Sequence, residues 1–166
     1  MTLRVPTIVR HLGREQSHPR DVFLLSLERL SDFPGLLELP CPRFVLLLAA
    51  DTTGANLDKV AVANSLISAG CVYFCAWGPG CEAMHDVVDD VFLERIEYAD
   101  DRGVLMTTWH NNEPLTDVVE FALLTAWPDD NYRDGCGAVV LAVSGSDAWA
   151  LEVETTAMQF IEPKVI

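Results

Sequence analysis

A chain of 166 residues with 25 acidic residues against 11 Lys and Arg has a net charge of −14, which weighs against nucleic acid as a partner because neutralising phosphates takes a basic patch. Its apolar runs, such as residues 44–50, fall far short of the roughly 20 residues that cross a bilayer, so no membrane association is read. Five cysteines (Cys41, Cys71, Cys75, Cys81 and Cys136) make an odd set with no CxxC pair, which argues against a disulfide framework and for a reducing, cytoplasmic setting.

The charge is uneven along the chain. Residues 1–43 hold six basic and five acidic residues, and the remainder holds five basic and twenty acidic, a balance of −15. Most of that surplus reads as solvated helix faces, with an acidic surface for a basic protein partner as the second reading. Met1 to Pro6 shows no charged stretch followed by an apolar one, so no secretory signal is read.

In chain order, residues 1–43 read as an N-terminal accessory segment packed on an α/β core of residues 44–166, one globular domain overall. Leu3 to Val9 is an edge-strand signal interrupted by Pro6. Gly13 to Pro19 is loop-like, and Asp21 to Leu30 is expected to form a short helix on the spacing of Val22, Leu25 and Leu30. Pro34-Gly35 and Pro40-Cys41-Pro42 then punctuate the chain. The first core strand is Phe44 to Ala50. A helix follows from Leu57 to Ala69, with Asn56 as its cap and Gly70 as its stop.

The second strand is Cys71 to Trp77. Its helix, Glu82 to Arg95, carries Met84, Val87, Val88, Val91 and Phe92 in one apolar stripe, with Asp86, Asp89, Asp90 and Glu94 mostly off it. The third strand is Val104 to Trp109. Leu115 to Ala126 repeats the helical series, with Asn112 as its cap and Pro114 in its first turn. Ala138 to Val143 is the fourth strand. Trp149, Leu151 and Val153 alternate with Ala150, Glu152 and Glu154, which predicts a half-exposed fifth strand, continued or crossed by Met158 to Ile161.

Strands alternating with helices imply right-handed crossovers and parallel pairing. The expected fold is a three-layer α/β sandwich, Rossmann-like or flavodoxin-like, with a mainly parallel sheet of four to five strands. With core strands numbered along the chain, the order 2-1-3-4 is preferred and puts a ligand crevice between the first and third loops. The order 3-2-1-4 would put it between the first and fourth.

Parallel topology brings the four carboxyl-end loops to one rim: Asp51 to Asn56, Gly78 to Glu82, His110 to Glu113 and Ser144 to Asp147. Small polar residues there are also what helix caps require. Capping has no use for Trp77, Cys81, His85, Trp109 and His110. Cys81 opens a helix, where the dipole favours a thiolate, and His85 stands one turn later. The pair reads as nucleophile and base, as half of a metal site with His110 and Asp51, or as a packed thiol beside a hydrogen-bonded histidine. The assigned candidates are Cys81 and His85 for catalysis, and Asp51, Thr52, Trp77, Glu82, Trp109, His110 and Asn111 for ligand binding. No metal is assigned, and the cofactor stays open. The chain has no GxGxxG, no GxxxxGK[ST] and no GxSxG, and its third strand ends in Trp109-His110 where a phosphoacceptor domain needs Asp.

Cys75-Ala76-Trp77-Gly78-Pro79 with Cys81-Glu82 and His85-Asp86, then Met106-Thr107-Thr108-Trp109-His110, resemble the motifs of an uncharacterised bacterial domain family over approximately residues 44–143. The resemblance implies that these residues form the family's functional face and supplies no reaction. The expected role is a small-ligand-binding or interaction module whose site lies at the carboxyl ends of the strands. The alternatives are a Cys/His enzyme or metal site at the same rim, and an acidic, immunity- or antitoxin-like inhibitor of a basic partner.

Overall fold

The computed structural model describes residues 8–95 and 103–162. Its regular elements are β1 (Ile8–Arg14), β2 (Asp21–Leu27), β3 (Arg43–Ala49), α1 (Lys59–Ala69), β4 (Cys71–Trp77), α2 (Cys81–Arg95), β5 (Met106–His110), α3 (Leu115–Leu124), β6 (Cys136–Ser144) and α4 (Asp147–Met158). The strands form one six-stranded sheet in the order β1-β2-β6-β3-β4-β5. Among the described strand pairings only β1–β2 is antiparallel.

The uninterrupted apolar runs sit where their composition demands. β3, β4 and β6 occupy the middle of the sheet and are buried on both faces, as parallel strands between helices must be. Alternation divides their side chains. Phe44, Leu46, Leu48, Phe74, Ala76, Val140 and Ala142 pack with residues of α1 and α2. Val45, Leu47, Ala49, Tyr73, Cys75, Val139, Leu141 and Val143 pack with residues of α3 and α4 on the other face. Gly70 stops α1 in the left-handed conformation at φ 116°, but the side chain that caps the helix is Asp58, accepting from Ala61 N at 3.0 Å, and not Asn56. Asn112 does not cap α3 either. Pro114 holds that position without a side-chain hydrogen bond.

Four expectations are corrected. Residues 21–27 form a strand and not a helix: seven residues offer too short an amphipathic face, and β6 supplies a parallel partner, pairing Phe23 with Val140. The tail after Ser146 is a helix and not a fifth strand. Ser146 Oγ accepts from Trp149 N at 3.2 Å, and Val153 and Ala157, one turn apart, are fully buried while Leu151 is exposed. The sheet therefore has six strands, two of them from residues 8–27.

The order of the four core strands is β6-β3-β4-β5, the 3-2-1-4 arrangement, so the preferred 2-1-3-4 order is wrong. β5 is an edge strand, with Met106 and Trp109 exposed. It is shorter than the expected Val104–Trp109 run, and among the described residues no strand pairs with its outer edge. Of the edge-strand signal at Leu3 to Val9, residues 3–7 lie outside the described residues. β1 itself begins at Ile8, carries a register shift between His11 and Gly13, and receives the segment after α4 through an antiparallel bridge from Glu15 to Ile161.

Candidate functional site

The rim is organised by the turn after β4. Gly78 has φ 108° and Gly80 φ 80°, values that side chains with a Cβ rarely adopt. A Cβ on Gly78 would lie 2.3 Å from Ala50 O. This close approach lets the turn hydrogen-bond to the loop after β3: Ala50 N to Trp77 O at 3.2 Å and Thr52 N to Pro79 O at 2.9 Å. Thr52 Oγ1 donates to the same Pro79 carbonyl at 3.1 Å. Thr52 is buried in this seam and borders neither hollow of the rim.

Beyond the carboxyl ends of β4 and β5 lies a cleft of about 780 Å³. Trp77, the turn, Cys81, Glu82, Asp86, the loop from His110 to Glu113, and Trp149 of α4 border it. Trp77 donates its indole N–H to Glu113 O at 2.8 Å and meets Trp149 edge to face, with ring centroids 5.1 Å apart. His110 is buried. Its Nδ1 bonds the Glu113 carboxylate, its Nε2 is 2.9 Å from Thr108 Oγ1, and its ring lies edge-on to Phe121 of α3. Glu113 thus holds both the indole and the imidazole.

The second histidine is on the other face. Trp77 is in register with His110, and Ala76 with Trp109, so Trp77 and Trp109 project to opposite sides of the sheet. Trp109 packs on His85 of α2, centroids 4.6 Å apart. His85 Nδ1 lies 2.9 Å from Asp86 Oδ1 and its Nε2 2.9 Å from Thr107 Oγ1. The Thr107 hydroxyl in turn donates to Asp89 Oδ1 at 2.7 Å. Both ring nitrogens are therefore engaged by groups other than Cys81, whose sulfur sits buried at the cleft wall. Among the described residues no three His, Cys, Asp or Glu side chains are grouped to hold a metal ion. Cys71, Cys75 and Cys136 are interior groups: burial pushes Cys75 up to about 12 and Cys136 up to about 11.

A smaller hollow, about 580 Å³, lies where the strand order reverses between β3 and β6. Arg29, Leu30, Ser31, Asp51, Asn56, Ser144, Ser146 and again Trp149 border it. Asp51 Oδ1 accepts from Thr53 N at 2.9 Å and from the Thr53 hydroxyl. These bonds favour the ionised carboxyl and hold it below the usual carboxylate range.

A family model, the Domain of unknown function (DUF7684), matches residues 22–158. The chain belongs to this family. No curated protein and no solved structure matches it. The DUF7684 match begins in β2 and ends at the last residue of α4, so it takes in every element that borders either hollow.

Of the residues expected at the site, Trp77, Cys81, Glu82, His110 and Asn111 border the larger cleft and Asp51 the smaller. His85 and Trp109 form a separate cluster under α2. Trp149, common to both hollows, was not among the expected residues. The signal for it is the helix start at Ser146-Asp147, which brings Trp149, Val153 and Ala157 onto one face. Glu113 was visible only as a loop residue, because its importance comes from pairing with a strand residue three positions earlier.

Proposed function

We propose that this DUF7684 domain binds a small ligand in the cleft beyond β4 and β5. One observation carries the reading: five residues singled out on chemical grounds, Trp77, Cys81, Glu82, His110 and Asn111, border a single hollow together with Trp149. The walls are set before any ligand arrives, because Trp77 is tied to Glu113 O and His110 is held from both nitrogens. Preorganised side chains of this kind reduce the ordering cost of binding. The core strand order, that of a Rossmann-like sheet, supports a site at this rim, since open α/β sheets place ligands beyond their carboxyl ends. The test is a fragment screen read by indole NMR and tryptophan fluorescence. Binders are expected to perturb Trp77 and Trp149 and to lose affinity in Trp149→Ala. A screen with no hit at these two indoles would end the proposal.

A second reading, catalysis at the same cleft, is favoured by one contact. His110 borders the cleft with its Nδ1 on the Glu113 carboxylate, which orients the ring as a general acid or base requires, and a ligand would meet Nε2 by taking the place of the Thr108 hydroxyl. In this reading His110, oriented by Glu113, takes the role expected of Cys81 and His85. Turnover of a cleft ligand that His110→Asn abolishes while binding persists would support it.

A further inference from the structure

We infer that the cleft's ligand is a small organic cation: an amino or guanidino group on an apolar stem. This rests on the binding reading above and adds the ligand's charge and shape. Three carboxylates border the hollow, Glu82, Asp86 and Glu113, and among the described residues no lysine or arginine does. Their acceptor capacity is only partly used. Asp86 and Glu113 each engage one histidine nitrogen through a single oxygen, and Glu82 accepts no hydrogen bond among the described residues. The other polar side chains there are the Cys81 thiol, His110 with both nitrogens engaged, the Trp77 indole tied to Glu113 O, the Trp149 indole, and the amides of Asn111 and Asn112, so the free donors are few against several carboxylate oxygens. A ligand that matches this inventory donates hydrogen bonds and carries positive charge.

Two further observations narrow the class. The carboxylates are too dispersed to hold a metal ion, since no trio of ligating side chains is found among the described residues. The cleft is also far larger than an ion needs, about 780 Å³. Its aromatic wall is a pair of indoles at 86°, an arrangement that leaves ring surface for an alkyl stem and attracts a cationic head. Among the described residues the positive element at the cleft is the amino end of α2, worth about half a charge. Glu82 stands in that first turn and offsets it, so an anionic ligand meets net repulsion.

The experiment is calorimetry with agmatine, spermidine and a blocked arginine amide as cations, and AMP and citrate as anions, each followed by tryptophan fluorescence. A cation is expected to bind one to one and quench fluorescence. The double variant Glu82→Gln/Asp86→Asn is expected to weaken it at least tenfold while keeping the wild-type melting temperature. Strongest binding by the arginine amide also supports the class and assigns its source to a protein side chain. Cation binding that survives both the double variant and Trp149→Ala is adsorption to an acidic surface and overturns the inference. Binding of AMP or citrate with the cations silent overturns it too, yet leaves the cleft as a ligand site. A fragment screen with no hit at the two indoles removes the site itself.

Discussion

The two hollows of the rim share the wall of Trp149 but are built differently. The smaller one, between β3 and β6, sits where topology alone would put a ligand. Its border offers three serine hydroxyls, Ser31, Ser144 and Ser146, and Arg29 there is turned to Asp32, 3.6 Å away, and is largely exposed. The larger one lies two strands off, at the sheet's edge side. It collects indoles, an imidazole and carboxylates, several locked by hydrogen bonds. The comparison teaches that strand order selects a rim, whereas side-chain chemistry selects the position along it.

At neutral pH the largest effect of a single substitution is expected at the seam that joins the hollows. Gly78→Ala forces a Cβ onto Ala50 O at a left-handed φ and should cost more than about 2 kcal/mol, seen as a lower urea midpoint. An unchanged midpoint would show that the turn after β4 is not pinned to the loop after β3.

Next comes the alkaline limb. The folded state holds Cys75 near 12 and Cys136 near 11, both above the ordinary thiol value of 9.0. The acid groups are raised by burial, so their contribution is complete below the unfolded value and is lost as pH climbs through the folded ones. Between pH 9 and 11, stability should fall by about 1.4 kcal/mol per pH unit for each thiol. Cys75→Ala should flatten that slope. A flat slope in the wild type would mean these sulfurs are open to solvent.

Trp149→Ala is the variant that touches both hollows. Losing its edge-to-face partner costs about 0.5–1.5 kcal/mol, beyond the apolar area uncovered. If the larger hollow alone is the site, the change abolishes ligand-induced quenching of Trp77 without altering the environment of Asp51. Equal disturbance of both would mean they act as one bipartite site.

The smallest effect belongs to Asp51. Its carboxyl is held low by Thr53, so its stabilisation is present above the unfolded carboxylate value and lost as pH falls through the folded one. Asp51→Asn should slightly flatten the acid limb of the stability curve below about pH 4 and leave cation binding in the larger cleft unchanged. A loss of that binding would move the site to the switch point.

Much of this was legible locally. Phe44 to Ala50 and Cys71 to Trp77 read as doubly covered strands because long apolar runs have few other uses, and Gly70 read as a helix stop because the left-handed cap is a single-residue property. The stripe of α2 and the chemistry of Trp77, Glu82, His110 and Asn111 were equally plain. Residues 21–27 and 149–154 were misread for one reason: short apolar segments fit either period, and the arbiter is a neighbour elsewhere in the chain. β6 makes the first a strand, and packing against α3 and β6 makes the second a helix.

The sequence by itself determined an acidic α/β domain whose reactive residues fall at the carboxyl ends of parallel strands, since hydrophobic period, turn glycines and charge are written residue by residue. Only the tertiary structure decided the strand order and which faces those residues share. A one-position difference on β5 sends Trp109 to His85 under α2 and His110 to Glu113 and the cleft. That choice is made by inter-strand register, a property of two segments together and of neither alone.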